Sequence, residues 1–557
     1  MLQLLLSSAL AQDAEPRGPL AEASTSGTFD LDVRYYQDDT TLPDFPEEDR
    51  LFDYVETVSR TNLLADAGHW QIGAQVDHVA MFGAKYYLDD EIQYEFPLHG
   101  DGVSFPLPMA YANLEKVWVT GRARWGTVQL GDGYASFGRG LALNLVRNTD
   151  IDVDTSLRGA KATATLGRWD LQLVSGLTNQ QQVLQDNPNR QIRADRSHMV
   201  SGARVDGYGL GRFNLGAHAV AVQIARDLDE GTPYVRYQEP FTSEEGLDAL
   251  VAGATAEFYA GGVDWFFEGD GYRYGSTDFF NGEDPEPGYA GYASASFYPG
   301  PLAVLIEAKR YKNTERVNAF TSVDGYELMV GPSLEYENVI TEDSSAAVNS
   351  NDIWGARTRV NLSLKQGMII PYVAVGAYRD NELGGLHFNR APETIFHPLV
   401  GIDLQGTHQK LILNSGYRVD IRDDGYGQDR MAHLDMTWAF PLGPVHGEVI
   451  WNGYQFQWGD NANQQEDFYT SSLSLAAQTH RWTFVAYNDI TNDPLVDSVG
   501  NITDTVYLAG EVQYQPNDRT TLKAFYGAYK AGIRCAGGQC KRLPGFEGAR
   551  ASATFVF

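Results

Sequence analysis

The sequence predicts an all-β protein, a transmembrane antiparallel β-barrel of about 24 strands, within a range of roughly 22–26. Three observations predict this fold. Segments in which polar and apolar residues alternate recur along the chain. Short turns and long acidic loops connect these segments in alternation. Beyond the N-terminal residues, no run approaches the ~20 consecutive apolar residues that a membrane-spanning helix needs.

Composition and charge limit the class of protein further. The 557 residues include 57 Gly, 31 Tyr and 26 Phe, and the mean hydropathy of -0.33 is too polar for a bundle of membrane helices. A single globular core rarely exceeds ~250–300 residues, whereas a barrel grows by adding strands. The net charge of -31 argues against nucleic acid as a partner, because a phosphate backbone attracts basic proteins.

The N-terminus begins MLQLLLSSALAQ, an apolar stretch followed by the small-x-small pattern Ala9-Leu10-Ala11. This pattern is typical of a secretory signal peptide cleaved before Gln12, although no basic residue precedes the apolar stretch. A buried N-terminal helix is the alternative. We therefore expect a signal peptide at 1–11, a periplasmic segment at 12–26 and the barrel at 27–557.

Strand alternation is clearest in DIWGARTRVNLSLK, which starts at Asp352. Trp354 and Val360 share one face of this segment, and Arg357 and Arg359 share the other. A soluble sandwich would bury the apolar face under a second sheet, whereas a membrane barrel turns it to lipid and turns the polar face to the lumen. The inward charges would tune ion preference or hold an internal plug. The charged residues that we expect in the lumen are Glu307, Lys309, Arg357, Arg359, Arg418 and Asp420.

The connections between strands are asymmetric. Turns rich in Gly or Pro, such as those beginning at Arg124, Lys365 and Pro441, are short and have aromatic neighbours, as in an interfacial girdle. The alternate connections, such as 226–248 and 459–467, are long and acidic. This asymmetry predicts short periplasmic turns, long acidic extracellular loops, and both chain ends on the short-turn side.

Few residues suggest covalent or metal chemistry. Cys535 and Cys540 are the only cysteines, and in an exported chain two thiols around Gly-Gly favour a loop disulfide over a metal site, since no His is nearby. The 11 His residues are scattered, and the sequence has neither a G-x-S-x-G nor an H-E-x-x-H motif. We expect no enzyme activity and no cofactor, with a membrane-embedded hydrolase as the remaining alternative.

The stretch GDGYASFGRGLALNLVRNTDIDVDTSLRG, residues 131–159, differs from the strands around it. Its glycines lack the spacing of a dinucleotide loop, and no Lys-Ser or Lys-Thr follows them as in a phosphate loop. Alternate carboxylates at Asp150, Asp152 and Asp154 are a weak calcium candidate, because the Gly and Glu of a hand-type calcium loop are missing.

The favoured interpretation of this stretch pairs its acids with its arginines. Bidentate Arg–carboxylate bonds are suited to fixing a loop inside a wet lumen. We therefore expect an in-folded loop near 133–155, anchored by Leu141, Leu143 and Leu145. The residues that would hold this loop and form the constriction are Asp132, Arg139, Arg147, Asp154 and Arg158.

The C-terminal residues GARASATFVF alternate with a period of two, and Phe555 and Phe557 lie on the apolar face. This pattern resembles the signal by which Gram-negative outer-membrane barrels are recognised for assembly. The run G-D-x-Y-x-x-F-G-R-G-L-x-L from Gly131, with Asp154-x-x-x-Arg158 after it, resembles a poorly characterised family of outer-membrane β-barrels of unknown function. The similarity covers about the first third of the chain and the C-terminal strand.

The resemblance implies a barrel in the outer membrane of a Gram-negative bacterium, with a shared internal loop. Its partners would be outer-membrane lipid, lipopolysaccharide and the barrel-assembly machinery. We expect a porin-like channel that passes or binds small polar solutes. The alternative is a plugged barrel that docks a periplasmic or surface protein.

Overall fold

The computed structural model describes most of the chain. The described residues are 24–38, 52–82, 109–148, 153–180, 198–223, 249–275, 286–314, 327–329, 352–381, 393–422, 428–461, 464–492, 506–530, 532–536, 539–543 and 545–557. The expected signal peptide and residues Asp150 and Asp152 lie outside them. None of the helices within these ranges is long and apolar enough to cross a membrane.

The described residues form 30 strands and one 3-10 turn at Lys365–Gly367. The strands are β1 Ser24–Asp38, β2 Phe52–Ala67, β3 Trp70–Phe82, β4 Met109–Ala123, β5 Gly126–Gly133, β6 Ala135–Phe137, β7 Leu143–Leu145, β8 Arg147–Asn148, β9 Val153–Leu166, β10 Trp169–Gln180, β11 Met199–Leu210, β12 Phe213–Gln223, β13 Ala249–Ala260, β14 Val263–Tyr274, β15 Gly288–Phe297, β16 Leu302–Lys312, β17 Glu327–Met329, β18 Asp352–Leu362, β19 Ile369–Asp380, β20 Glu393–Gln405, β21 Lys410–Arg422, β22 Gln428–Leu442, β23 Val445–Asn461, β24 Gln464–Gln478, β25 Trp482–Thr491, β26 Val506–Asn517, β27 Thr520–Tyr529, β28 Gly532–Ala536, β29 Gln539–Leu543 and β30 Phe546–Val556.

Twenty-four of these strands form a closed antiparallel barrel, so the fold class expected from the sequence is confirmed. They are β1–β5, β9–β16, β18–β27 and β30. Closure occurs where β30 pairs with β1, with Val33 opposite Ala551. Backbone hydrogen bonds in both directions join Gly27 and Phe557, and the rings of Phe29 and Phe555 stack at 6.3 Å. β1 begins at Ser24, slightly before the expected start of the barrel at 27.

The alternation of side chains gives the wall two chemically different faces. The outer face carries large apolar residues, among them Leu173, Trp354 and Val400, each more than half exposed. The inner face carries buried charged residues such as Asp77 and Glu307. Successive side chains of a strand point to opposite faces of its sheet, so a period of two in the sequence becomes an apolar exterior and a polar interior.

The short connections lie where Gly- and Pro-containing turns were expected. Gly167, Gly211 and Gly443 adopt φ values of 68°, 72° and 66° in these turns, a conformation that glycine reaches without a Cβ penalty. The expectation of a long loop at 459–467 was wrong. β23 continues through Asn461, and β24 begins at Gln464, so both strands extend into this polar segment.

The two faces predict opposite responses to the same substitution at neighbouring positions of β24. Leu475 is exposed on the outer face, and the preceding Ser474 belongs to the inner face. We expect Leu475→Arg to lower the free energy of unfolding in lipid vesicles by up to about 2–4 kcal/mol, the cost that Arg on the lipid face reaches at the middle of a bilayer. Ser474→Arg is the matched control and should change it much less. Equal effects in urea titrations would contradict this assignment of faces.

Candidate functional site

A short β-hairpin inside the barrel is the candidate functional site. The chain leaves the wall after β5, forms β6 and β7, and returns as β8, where Arg147 pairs with Asp154 of β9. We call residues 134–146 the inner hairpin. Its turn includes Gly138 and Gly140, whose φ values of 58° and 92° favour glycine.

The inner hairpin is anchored by apolar side chains. Phe137, Leu141, Leu143 and Leu145 are almost completely buried in one cluster with inward-facing residues of the wall. Gly202 provides the space for Phe137, since a Cβ at this position would lie 2.6 Å from the ring. Burial of each such side chain contributes about 1.5–3 kcal/mol. The wall residues of the cluster include Val174, Val200, Val220, Val222, Val251, Tyr272, Tyr292 and Tyr311.

Polar contacts fix the tip of the hairpin to the same part of the wall. The backbone N–H of Arg139 donates to Glu268 Oε2 at 2.8 Å, and the Tyr272 hydroxyl donates to the carbonyl oxygen of Leu141 at 2.8 Å. The guanidinium of Arg139 lies over the ring of Tyr292, 4.4 Å from its centroid. Such a cation–π contact contributes about 0.5–2 kcal/mol. The tip is therefore held by main-chain and side-chain interactions together.

The base of the hairpin is held by the carboxylate of Asp154. It accepts hydrogen bonds from the Lys116 ammonium and, at 2.8 Å, from the Tyr134 hydroxyl. Arg147 Nε lies 3.5 Å from its other oxygen. Burial, followed by the charge of Asp154, raises the pKa of the Tyr134 hydroxyl, so this group stays protonated and donates. Lys161 Nζ donates to the Tyr134 carbonyl oxygen at 2.6 Å.

Asp132 and Arg158, which the sequence predicts in the constriction, lie elsewhere. Arg158 is opposite the exposed Leu177 of β10 and therefore lies on the outer face. Asp132 is enclosed in the wall, where it accepts hydrogen bonds from Arg158 Nε at 3.1 Å and Asn179 Nδ2 at 2.7 Å. The backbone N–H of Val117 donates to it at 2.7 Å. This correction removes both residues from the lumen, since they brace the wall where β5 ends.

The charged residues expected in the lumen all lie on the inner face. Glu307 bonds Arg357 at 2.8 Å and accepts a hydrogen bond from the Tyr292 hydroxyl at 2.5 Å. Arg418 and Asp420 form a buried pair at 2.6 Å. Lys309 and Arg359 lie over aromatic rings. The Lys309 ammonium is 5.2 Å from the centroid of the Tyr378 ring, and the Arg359 guanidinium is 4.0 Å from the centroid of the Tyr372 ring.

The calcium candidate rests on Asp154 alone among the described residues, and this carboxylate is already engaged by Lys116 and Tyr134. The structure instead brings together His218, Glu268 and Asp270, for which no sequence motif predicts a shared site. The available signal was strand alternation, which places all three on inner faces. Their mutual approach depends on the pairing of three strands, which the sequence pattern does not specify.

Comparison with solved structures finds outer-membrane β-barrel proteins. No protein-family description and no curated protein matches the sequence. The P pilus usher PapC translocation pore is similar at 9% identity, over 96% of this chain and 99% of that chain, with a TM-score of 0.44. The siderophore receptor PirA from Pseudomonas aeruginosa is similar at 8% identity, over 98% and 81% of the two chains, with a TM-score of 0.43. The outer membrane protein opdK from Pseudomonas aeruginosa is 12% identical over 74% of this chain and 99% of that chain, with a TM-score of 0.36. Likenesses at this level assign no function to this chain.

The buried pair at the hairpin base predicts a large energetic cost when one partner is removed. Asp154→Asn leaves the Lys116 ammonium buried without its compensating charge, and we expect a loss of about 3–5 kcal/mol in the free energy of unfolding. Arg122→Met breaks the exposed pair with Asp66 and should cost about 0–1 kcal/mol. Denaturant titration of both variants tests this difference, and similar small losses would show that the buried pair does not hold the hairpin base.

The expected disulfide can be tested directly. β28 and β29 form a hairpin in which Cys535 and Cys540 are opposite each other in the backbone register. The prediction is a peptide linked through these two cysteines in mass spectra recorded without reductant. Detection of two free thiols in the exported protein would refute it.

Proposed function

We propose that this protein is a porin-like channel of a Gram-negative outer membrane, which passes or binds small polar solutes, and that the inner hairpin forms its constriction. The single observation that carries this proposal is the hairpin itself, fixed to the inside of a closed 24-stranded wall. A barrel of this size encloses a wide lumen unless something narrows it. The inner hairpin, packed against the inside of the wall, provides such a narrowing.

The outer surface supports the membrane location. An exposed apolar face around a whole barrel is unfavourable in water, and lipid is its natural solvent. Aromatic residues beside the short turns, including Trp125, Tyr259 and Tyr298, are at least half exposed. Amphipathic rings prefer the headgroup region, so they fit one interface of a bilayer or of lipopolysaccharide. In this proposal Phe555 and Phe557 of the terminal segment are the signal read by the barrel-assembly machinery.

The inner surface supports polar solutes as cargo. Arg60 and Asp77 form a buried pair at 3.0 Å, and Asp32 bonds both Arg34 and Arg550. Rings of charged side chains set the preference of a pore for ions and polar molecules. These pairs give the inner wall both hydrogen-bond donors and acceptors for a polar solute.

Planar-bilayer conductance tests the channel and its constriction together. Purified protein should give stable ohmic steps. Phe137→Ala removes an anchor at a cost of about 3–5 kcal/mol, and Arg139→Ala removes the cation–π contact at about 0.5–2 kcal/mol. We expect both variants to raise the single-channel conductance or its fluctuations, with the larger effect from Phe137→Ala.

Ser136→Ala is the matched control for these variants. Ser136 is the exposed neighbour of Phe137 on β6, so its truncation should leave the conductance unchanged. Unchanged conductance in both anchor variants would contradict a constricting hairpin. A silent wild-type barrel that co-purifies with a periplasmic or surface protein would favour the docking alternative and overturn the channel.

A further inference from the structure

Three buried acid and imidazole side chains meet at the point where the inner hairpin contacts the wall. His218 of β12 and Asp270 of β14 are both opposite Gly253 of β13. β12 and β14 do not pair with each other, because β13 lies between them. Neighbouring strands lie ~4.8 Å apart, so the two side chains reach towards each other across β13. A Cβ on Gly253 would lie 1.9 Å from Asp270 Oδ1 and 2.6 Å from His218 Nε2. Glycine at this position is therefore what allows these two atoms to approach to 2.5 Å.

Glu268 is the third residue of the cluster. It precedes Asp270 by two positions on β14, so the two carboxylates lie on the same face of this strand. One ligand atom from each of the three side chains lies within 4.8 Å of the others. The inner hairpin covers the cluster, since the Phe137 ring lies 6.1 Å from the His218 ring. A Cβ on Gly138 would lie 1.8 Å from Glu268 Oε1, so the hairpin backbone is in direct contact with this carboxylate.

The hydrogen bonding of the cluster is incomplete. His218 Nδ1, Glu268 Oε1 and Asp270 Oδ2 are buried and have no hydrogen-bond partner among the described residues. Each of these residues is at most 5% exposed. Buried polar atoms without partners are costly, and two adjacent carboxylates in an enclosed space also repel each other. A bound cation would remove both costs.

Two basic residues lie close enough to influence the cluster. Arg204 is opposite His218 in the strand register, but it is paired with Asp206 at 2.6 Å. Arg139 donates its backbone N–H to Glu268, and its guanidinium lies over Tyr292. The competing arrangement without a metal is the direct hydrogen bond between His218 and Asp270.

The donor set indicates the class of cation. One imidazole nitrogen and two carboxylate oxygens are ligands for divalent first-row transition metals, and the imidazole disfavours calcium and magnesium, which prefer oxygen ligands. Three protein ligands also match the number found in zinc sites that keep one position open. We propose that His218, Glu268 and Asp270 bind one divalent transition-metal ion beneath the inner hairpin. Through Glu268, the ion would strengthen the wall at the point where the Arg139 backbone is held.

The test uses the full chain and two probes, Zn²⁺ and Co²⁺. The zinc content of protein purified from membranes is measured by elemental mass spectrometry. Protein refolded from urea in the presence of Co²⁺ is examined for the visible absorption of a protein-bound Co²⁺ ion. Asp270→Asn and His218→Gln each remove one ligand. Asp420→Asn is the control, because it changes an inner-wall carboxylate that pairs with Arg418 and lies outside the cluster.

We expect about one equivalent of metal in the wild type and the control. The affinity should fall in both cluster variants by at least the 10–100-fold caused by loss of an outer partner of a metal site. Electrophoretic mobility before and after heating shows whether each variant forms a barrel. A wild-type barrel that binds neither probe would overturn the proposal and leave the direct His218–Asp270 hydrogen bond as the arrangement of the cluster. Equal binding in folded cluster variants would also overturn it, by locating the ion elsewhere.

Discussion

The constraint on which the structure depends is that every strand of the wall has two partners. Backbone N–H and C=O groups that face hydrocarbon find no water, so an open sheet edge is excluded there. The pairing of β30 with β1 satisfies the last edge. Closure then assigns one side of every strand to the outside and the other to the lumen. The apolar exterior, the paired inner charges and the position of the inner hairpin all follow from this division.

The strand pattern could be predicted from the sequence because it depends on local alternation and on turn residues. Trp354 and Arg357 differ by an odd number of positions, and they lie on opposite faces as expected. The strand number follows from the same pattern. The bounds of β23 and β24 could not be predicted, since polar residues continue a hairpin as readily as they form a loop once both strands are paired.

The candidate site was only partly predictable, because its contacts join residues far apart in the chain. The sequence indicates that the stretch around Phe137 folds inward, but not that Gly202 makes room for its ring. Asp132 and Arg158 were assigned to the lumen because their charges suit a loop. Their true position depends on the pairing of β5, β9 and β10. The Lys116–Asp154 pair likewise depends on where β5 leaves the wall.

The convergence of both ends of the inner hairpin on one carboxylate has a mechanical consequence. Tyr134 at its start and Arg147 just after its end both contact Asp154, and Lys116 ties this residue to β4. Apolar contacts hold the rest of the hairpin against one arc of the wall, in a cluster that extends from Leu157 of β9 to Ile395 of β20. Because the base and the tip are fixed by separate sets of contacts, the inner hairpin is attached to the wall at two places. A change that released only the tip would leave the hairpin attached at its base. The cross-section of the lumen would then change from one side, without any strand of the barrel separating from its neighbours.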